Sequence, residues 1–122
     1  SVPWSVEGLK EMFHTEGYCS FLAKEEEEVI GYVGMKMVLD EADITNVAVL
    51  PSHRKKGIAG KLLKQLLEEA KKQNLHSIYL EVRASNIAAV TLYEHAGFKE
   101  VGQRKNYYDN PREDARLMLW EA

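Results

Sequence analysis

The run Val47-Ala48-Val49-Leu50-Pro51-Ser52-His53-Arg54-Lys55-Lys56-Gly57-Ile58-Ala59-Gly60 carries the most concentrated chemical signal in the sequence. A β-rich segment leads into a basic, glycine-containing turn, and the turn opens a long helix. The first turn of a helix presents unpaired backbone N–H groups at the positive end of the helix dipole. Gly57, Ala59 and Gly60 add almost no bulk there, so an anion can approach the backbone closely. Arg54, Lys55 and Lys56 place positive charge at the same point. The chemistry this suits is the holding of a diphosphate. The competing reading is a basic surface loop ahead of an ordinary core helix. Two other phosphate motifs are excluded. A Walker loop needs four residues between its glycine and the Gly-Lys pair, whereas only Ile58 and Ala59 separate Gly57 from Gly60-Lys61, and no G-x-G-x-x-G run is present.

A second reactive candidate is Glu81, at the centre of the strand-like run SIYLEV (77–82). On an alternating strand Leu80 and Val82 point one way and Glu81 the other. A carboxylate in such an apolar stretch has the character of a general base. A strand glutamate facing solvent explains the same pattern. His14, His53, His76 and His95 show no metal-ligand spacing and there is no Cys-x-x-Cys, so no metal is expected.

The elements that position these residues follow from periodicity. Ser5 reads as an N-cap, and Val6, Leu9 and Phe13 recur at helical spacing up to Gly17. Strands are expected over 18–24, 29–39 and 43–49, with a solvated acidic turn at Glu25 to Glu28 between the first two. Ile58, Leu62, Leu63, Leu66, Leu67 and Ala70 form the apolar stripe of a long helix, with Asn74 as its stop. A strand over 77–82, a short helix from Asn86 to His95 ended by Gly97, and strands over 98–107 and 115–120 joined by the loop DNPRED complete the chain. Strands separated by helices imply a mixed, partly parallel sheet with right-handed crossovers.

The chain has 122 residues, 45% hydrophobic and 29% charged, which suits one globular domain. A net charge of −3 excludes a general nucleic-acid binder. The single cysteine, Cys19, cannot form an internal disulfide and reads as a small buried strand residue. No apolar run is long enough for a membrane span and no signal peptide is evident, so a soluble cytoplasmic protein with no membrane partner is expected.

Arg54-x-x-Gly57-x-Ala59, placed between a strand and a helix, resembles the coenzyme A loop of the GNAT acetyltransferase superfamily. LEVRASNIAAVTLYEHAGF (80–98), GQRKNYY (102–108) and PREDARLM (111–118), with PWS (3–5) and LDEADITNVAV (39–49) upstream, are similar to the RimI-type ribosomal-protein alanine N-acetyltransferases. The resemblance spans nearly the whole chain. It implies a mixed α/β GNAT fold, a central twisted sheet flanked by helices, over 1–122. It also implies acetyl-CoA as co-substrate. Family members usually carry a strand and a helix before PWS. Their absence here implies an uncovered sheet edge that a second chain could cover.

The resemblance further implies roles. Glu81 falls on the family's catalytic glutamate, which takes a proton from an amine with a pKa of about 8. Tyr93 falls on the tyrosine that protonates the departing thiolate; the reading as a core tyrosine is compatible with this. Backbone N–H groups of Val47, Ala48 and Val49 would polarise the carbonyl, and Arg54, Lys55, Lys56, Gly57, Ile58 and Ala59 would hold the diphosphate. Asn86 resembles the coenzyme-contacting asparagine and is equally an N-cap. By their own chemistry, Tyr107 and Tyr108, with acidic groups of the loop 109–114, suit one wall of a peptide slot, and ordinary strand tyrosines explain the same pair. Arg83 orients Glu81 or the peptide. The implied acceptor is the N-terminal alanine of small-subunit ribosomal protein eighteen. Alternatives are other protein N-termini, a small amine, or acyl-CoA binding without turnover.

Overall fold

The computed structural model describes residues 4–8, 17–55 and 57–122, and within them the patterning resolves into seven strands and two α-helices. The strands are β1 (Trp4–Gly8), β2 (Tyr18–Glu25), β3 (Glu28–Val38), β4 (Glu41–Val49), β5 (Ser77–Arg83), β6 (Lys99–Tyr108) and β7 (Glu113–Glu121). The helices are α1 (Ile58–Lys72) and α2 (Ile87–His95). One sheet takes the order β1-β2-β3-β4-β5-β7-β6. Its only parallel neighbours are β4 and β5, which α1 connects. The expected mixed sheet is present, but α2 does not join adjacent strands. β7 folds back antiparallel between β5 and β6 and pairs with both.

Burial of the α1 stripe organises the core. Ile58, Leu62, Leu63, Leu66, Leu67 and Ala70 are all buried, in one cluster with Ile30, Val33 and Met35 of β3 and Ile78, Leu80 and Val82 of β5. Each of these Leu, Ile, Val and Met side chains stabilises the fold by about 1.5–3 kcal/mol relative to exposure. Both helices end in the same way. At the end of α1, Asn74 adopts the left-handed conformation, its N–H donates to the Lys71 carbonyl and that of Leu75 to the Ala70 carbonyl. At the end of α2, Gly97 has φ +105°, its N–H donates to the Glu94 carbonyl and that of Phe98 to the Tyr93 carbonyl. Both are Schellman caps, closed by a buried residue (Leu75, Phe98) just past the helix.

One expected element is corrected. The segment opening at Ser5 and Val6 is not the start of a helix: Trp4–Gly8 is a strand, antiparallel to β2 from Trp4–Glu25 to Gly8–Phe21. WSVEG also alternates with period two, and the unpaired edge of β2 selects that conformation over the local helical signal. The remainder of the expected helix, 9–16, lies outside the described residues. Cys19 is buried in β2 as expected. β7 begins at Glu113, two residues earlier than the sequence pattern, because Glu113 pairs with Tyr108.

Gly31 sets how closely α1 approaches the sheet. A Cβ at this position would lie 3.1 Å from Ile58 Cγ2, 3.1 Å from Leu62 Cδ1 and 3.3 Å from the Ala48 carbonyl oxygen. Gly31→Val is therefore expected to destabilise the fold by roughly 1–3 kcal/mol through overpacking. Urea denaturation checks this; an unchanged midpoint would show that α1 can move away at no cost.

Candidate active site

β4 and β5 separate part-way along their length. They pair only at Glu41–Ser77, Ala42–Ile78 and Asp43–Tyr79. Beyond that point β4 stays paired with β3 as far as Val49, and β5 with β7 as far as Arg83. The register shows why. Gly34 partners Asn46 while Met35 partners Ile44, so Thr45 is an extra residue on β4, and its hydroxyl donates to the Gly34 carbonyl at 3.2 Å. A bulge bends its strand, and here it bends β4 where the gap to β5 begins. Leu50 N–H donates to the Ile30 carbonyl at 2.9 Å, and the Val49 carbonyl accepts Arg54 Nε–H at 3.3 Å. Since alternate strand residues direct their backbone groups to opposite edges, Val47 and Val49 turn theirs into the gap. Ala48 faces β3, so the expected set of three open amides reduces to two.

The gap continues into the start of α1. A 3-10 turn, Pro51–His53, follows β4, and Gly57 caps the helix with φ +78°. Among the described residues no side chain caps the first turn of α1, and a Cβ on Gly57 would meet nothing within 4 Å. Arg54 and Lys55 are exposed beside it. Lys56 lies outside the described residues. His53 anchors the turn: its Nδ1 is 2.8 Å from the Ser52 hydroxyl and its Nε2 is 3.3 Å from Glu25 Oε1. A groove of about 630 Å³ runs along this path, lined by Val47, Ala48, Val49, Arg54, Lys55, Gly57, Ile58, Ala59, Val82, Asn86 and Tyr93 among others. Its volume is that of a small-molecule site, roughly 300–1,000 Å³. The bare amides, the basic rim and an opening that no described side chain fills fit a diphosphate followed by a narrow chain.

Tyr93 reaches this groove from α2. The α2 cap packs it edge-on against Phe98, with ring centroids 5.8 Å apart. Burial, with a smaller contribution from Tyr108, pushes its phenol above the ordinary value of 10.0, so it is protonated at neutral pH. The core reading and a place at the groove hold together. Asn86 is the N-cap of α2, its Oδ1 accepting the Ala89 N–H at 3.1 Å, and it lines the groove as well.

Glu81 occupies the opposite face of β5 from Val82. It is neither core nor fully solvated, with its side chain 28% exposed. Its Oε2 is buried and accepts no hydrogen bond from the described residues, although Arg104 Nε stands 3.8 Å away, at ion-pair distance. Tyr108 is close enough to feel both Glu81 and Tyr93 electrostatically. Burial and then the Glu81 charge raise the Tyr108 phenol. Tyr107 packs edge-on against Tyr108 at 5.0 Å between centroids, and Arg104 lies over Tyr107 at 5.4 Å. Tyr108 thus lies within electrostatic reach of both Glu81 and Tyr93, with Tyr107 packed against it. A bulge in β6, between Arg104 and Tyr108, is held by Asn106 N–H donating to Asp114 Oδ1 at 2.9 Å.

The loop acids are used differently from the sequence expectation. Asp114 secures that bulge, and Glu113 accepts the Ser85 N–H at 2.6 Å and an Arg83 N–H at 3.4 Å. Arg104, Ser85 and the Asp114–Asn106 contact escaped sequence reading because each depends on the register between β6 and β7. The basic Arg104 two strands from Glu81 was the one visible signal.

A model of the acetyltransferase (GNAT) family matches residues 1–98. The chain belongs to the GNAT acetyltransferase family. It is similar to the [ribosomal protein bS18]-alanine N-acetyltransferase of Escherichia coli K12, 38% identical over 118 residues covering 95% of this chain and 79% of that protein. The Haemophilus influenzae enzyme of the same name is 41% identical over 120 residues, covering 96% and 81%. The crystal structure of the ribosomal-protein-S18-alanine N-acetyltransferase from E. coli superposes with a TM-score of 0.89 at 30% identity, covering 97% of this chain and 93% of that one. The chain is accordingly an acetyl-CoA-dependent N-acetyltransferase. Among the described residues no helix is long and apolar enough to cross a membrane, and no group of three or more His, Cys, Asp or Glu side chains could hold a metal ion.

The Ser85 hydrogen bonds and the neighbouring Arg83 hold the Glu113 carboxyl below its ordinary value of 4.5. A lowered folded-state pKa gives stability that is present above the ordinary carboxyl range and is lost as pH falls through the folded value. Glu113→Gln should therefore lower Tm at pH 7, and the difference should shrink below about pH 4. Thermal scans across that range check it; a difference independent of pH would mean that the charge of Glu113 stabilises nothing.

Proposed function

We propose that this enzyme transfers acetyl from acetyl-CoA to the α-amine of a protein N-terminus, and that its acceptor is the N-terminal alanine of ribosomal protein bS18, the acceptor named for its relatives. The observation that carries the reading is a single strand, β5, with an open groove on one side and on the other a carboxylate whose buried oxygen accepts no hydrogen bond from the described residues.

In this reading the uncapped first turn of α1, through the amides of Gly57, Ile58 and Ala59, holds the diphosphate, with Arg54, Lys55 and Lys56 adding charge. Asn86 contacts the pantetheine side of the groove. The amides of Val47 and Val49 take the edge that β5 has vacated, and one donates to the acetyl oxygen. Donors placed in advance for a developing oxyanion are worth on the order of 10²–10³-fold in rate. Tyr107 and Tyr108 wall the acceptor's entry. Glu81 Oε2 accepts a proton from the incoming ammonium, directly or through one water. The neutral nitrogen then attacks the acyl carbon, a C–N bond forms, negative charge collects on the oxygen facing the β4 amides, and the now cationic nitrogen gives up its second proton to water. As the C–S bond breaks, Tyr93 gives its proton to the sulfur, a thiol of pKa about 8.5, and recovers one from solvent.

Mass spectrometry of an Ala-initiated bS18 peptide incubated with acetyl-CoA tests the reading. Acetylation at the α-amine is expected, and Glu81→Gln should lower kcat by about 10²–10⁴-fold. Transfer to polyamines with none to the peptide would overturn the acceptor assignment. Tyr93→Phe should lower kcat on the order of a hundredfold and leave the shape of the pH profile below about pH 8 unchanged, since the raised Tyr93 phenol stays protonated throughout that range. Wild-type rates in Tyr93→Phe would remove its acid role.

A further inference from the structure

Arg83 lies two residues beyond Glu81 on the same face of β5, and its hydrogen bonds run to the start of the neighbouring β7 and to the β6–β7 turn. Nη1 donates to the Pro111 carbonyl at 3.0 Å and to Glu113 Oε1 at 3.4 Å, and Nη2 donates to the Asp109 carbonyl at 3.0 Å. The face of the guanidinium stands 4.5 Å from the centroid of the Tyr108 ring. Glu113, which shares the arginine, also accepts the Ser85 N–H from the turn that leads into α2. Strand pairing ends at Tyr108–Glu113, so residues 109–112 have no ladder to fix them. The arginine supplies that support to the turn and a stacking platform to Tyr108 at once. A planar fork can do both, whereas an ammonium can do neither well. With its donors committed to two carbonyls and a carboxylate, Arg83 has little left to offer an incoming peptide.

We propose that Arg83, braced by Glu113, is a positioning residue that fixes the β6–β7 turn and the ring of Tyr108, and so shapes the acceptor entrance without itself touching the acceptor. The proposal rests on the reading that the acceptor enters between Glu81 and Tyr108. It replaces direct peptide binding as the role of Arg83 and makes Tyr108 the residue through which Arg83 acts.

Steady-state kinetics on the full chain with Arg83→Gln, Arg83→Lys, Tyr108→Ala and the Arg83→Gln/Tyr108→Ala pair test it, using the Ala-initiated peptide and acetyl-CoA. Arg83→Gln should raise the peptide KM or lower kcat so that kcat/KM for the peptide falls about tenfold, and leave the KM for acetyl-CoA unchanged. Arg83→Lys, the variant least prone to misfold, should not restore the loss. In the Tyr108→Ala background the Arg83 substitution should cost little more, because its target is already gone. Additive losses, full rescue by lysine, or an equal rise in the KM for acetyl-CoA would overturn the proposal. A second readout needs no turnover. The tyrosinate absorbance component that disappears in Tyr108→Phe should move to higher pH in Arg83→Gln, since the arginine charge lowers that phenol. If the parent chain fails to acetylate the peptide, the functional reading falls by itself, and an unmoved Tyr108 titration separately overturns the clamp.

Discussion

The bulge at Thr45 is the constraint on which the rest of the site depends. One extra residue on β4, tied by its hydroxyl to the Gly34 carbonyl, turns the strand away from β5 after three paired positions. Unpaired strand edges inside a fold are costly because each N–H and C=O loses water without gaining a partner. Here the loss is contained in two ways. Arg54 satisfies the Val49 carbonyl, and the gap opens onto a groove that water or a ligand can enter. The amides of Val47 and Val49 remain as donors with a fixed direction, since β3 holds the other edge of the same strand. A donor that needs no reorganisation is what an acyl-transfer site requires.

β5 then divides the labour between its faces. Its even-numbered residues, Ile78, Leu80 and Val82, are buried in the core beneath α1, and Val82 reaches the groove. Tyr79, Glu81 and Arg83 point the other way and are partly exposed. Two caps bring the remaining groups to this strand. Asn86 starts α2 immediately beyond β5, and the left-handed Gly97 closes it so that Phe98 packs against Tyr93. The orientation of Tyr93 thus follows from how its helix ends. Tyr108 arrives from two strands away, and its neighbours reveal a charge arrangement in which acids and arginines alternate: Glu81 with Arg104, Arg83 with Glu113. Exposed pairs of this kind add little stability; their effect is to hold side chains in place around the entrance.

Where sequence reading went astray, the cause was pairing beyond the local segment. Trp4–Gly8 carries both a helical and an alternating pattern, and only the open edge of β2 decides between them. Ala48 was grouped with Val47 and Val49 because the sequence does not say which amides a neighbouring strand will consume. The acids of the loop 109–114 looked available to an ammonium, yet Glu113 and Asp114 are occupied by Ser85, Arg83 and Asn106 once β6 and β7 are in register.

What the sequence determined by itself was everything written in local pattern. The stripe of α1, the glycine at its start, the Asn and Gly that end the two helices, and the placing of Glu81 on the opposite side of its strand from Leu80 and Val82 all follow from periodicity and backbone preference within a few residues. What only the tertiary structure decided was which backbone groups stay unpaired and which charges meet. Those outcomes depend on strand register, a relation between segments far apart in the chain, and a shift of one residue such as Thr45 reverses them without changing any local signal.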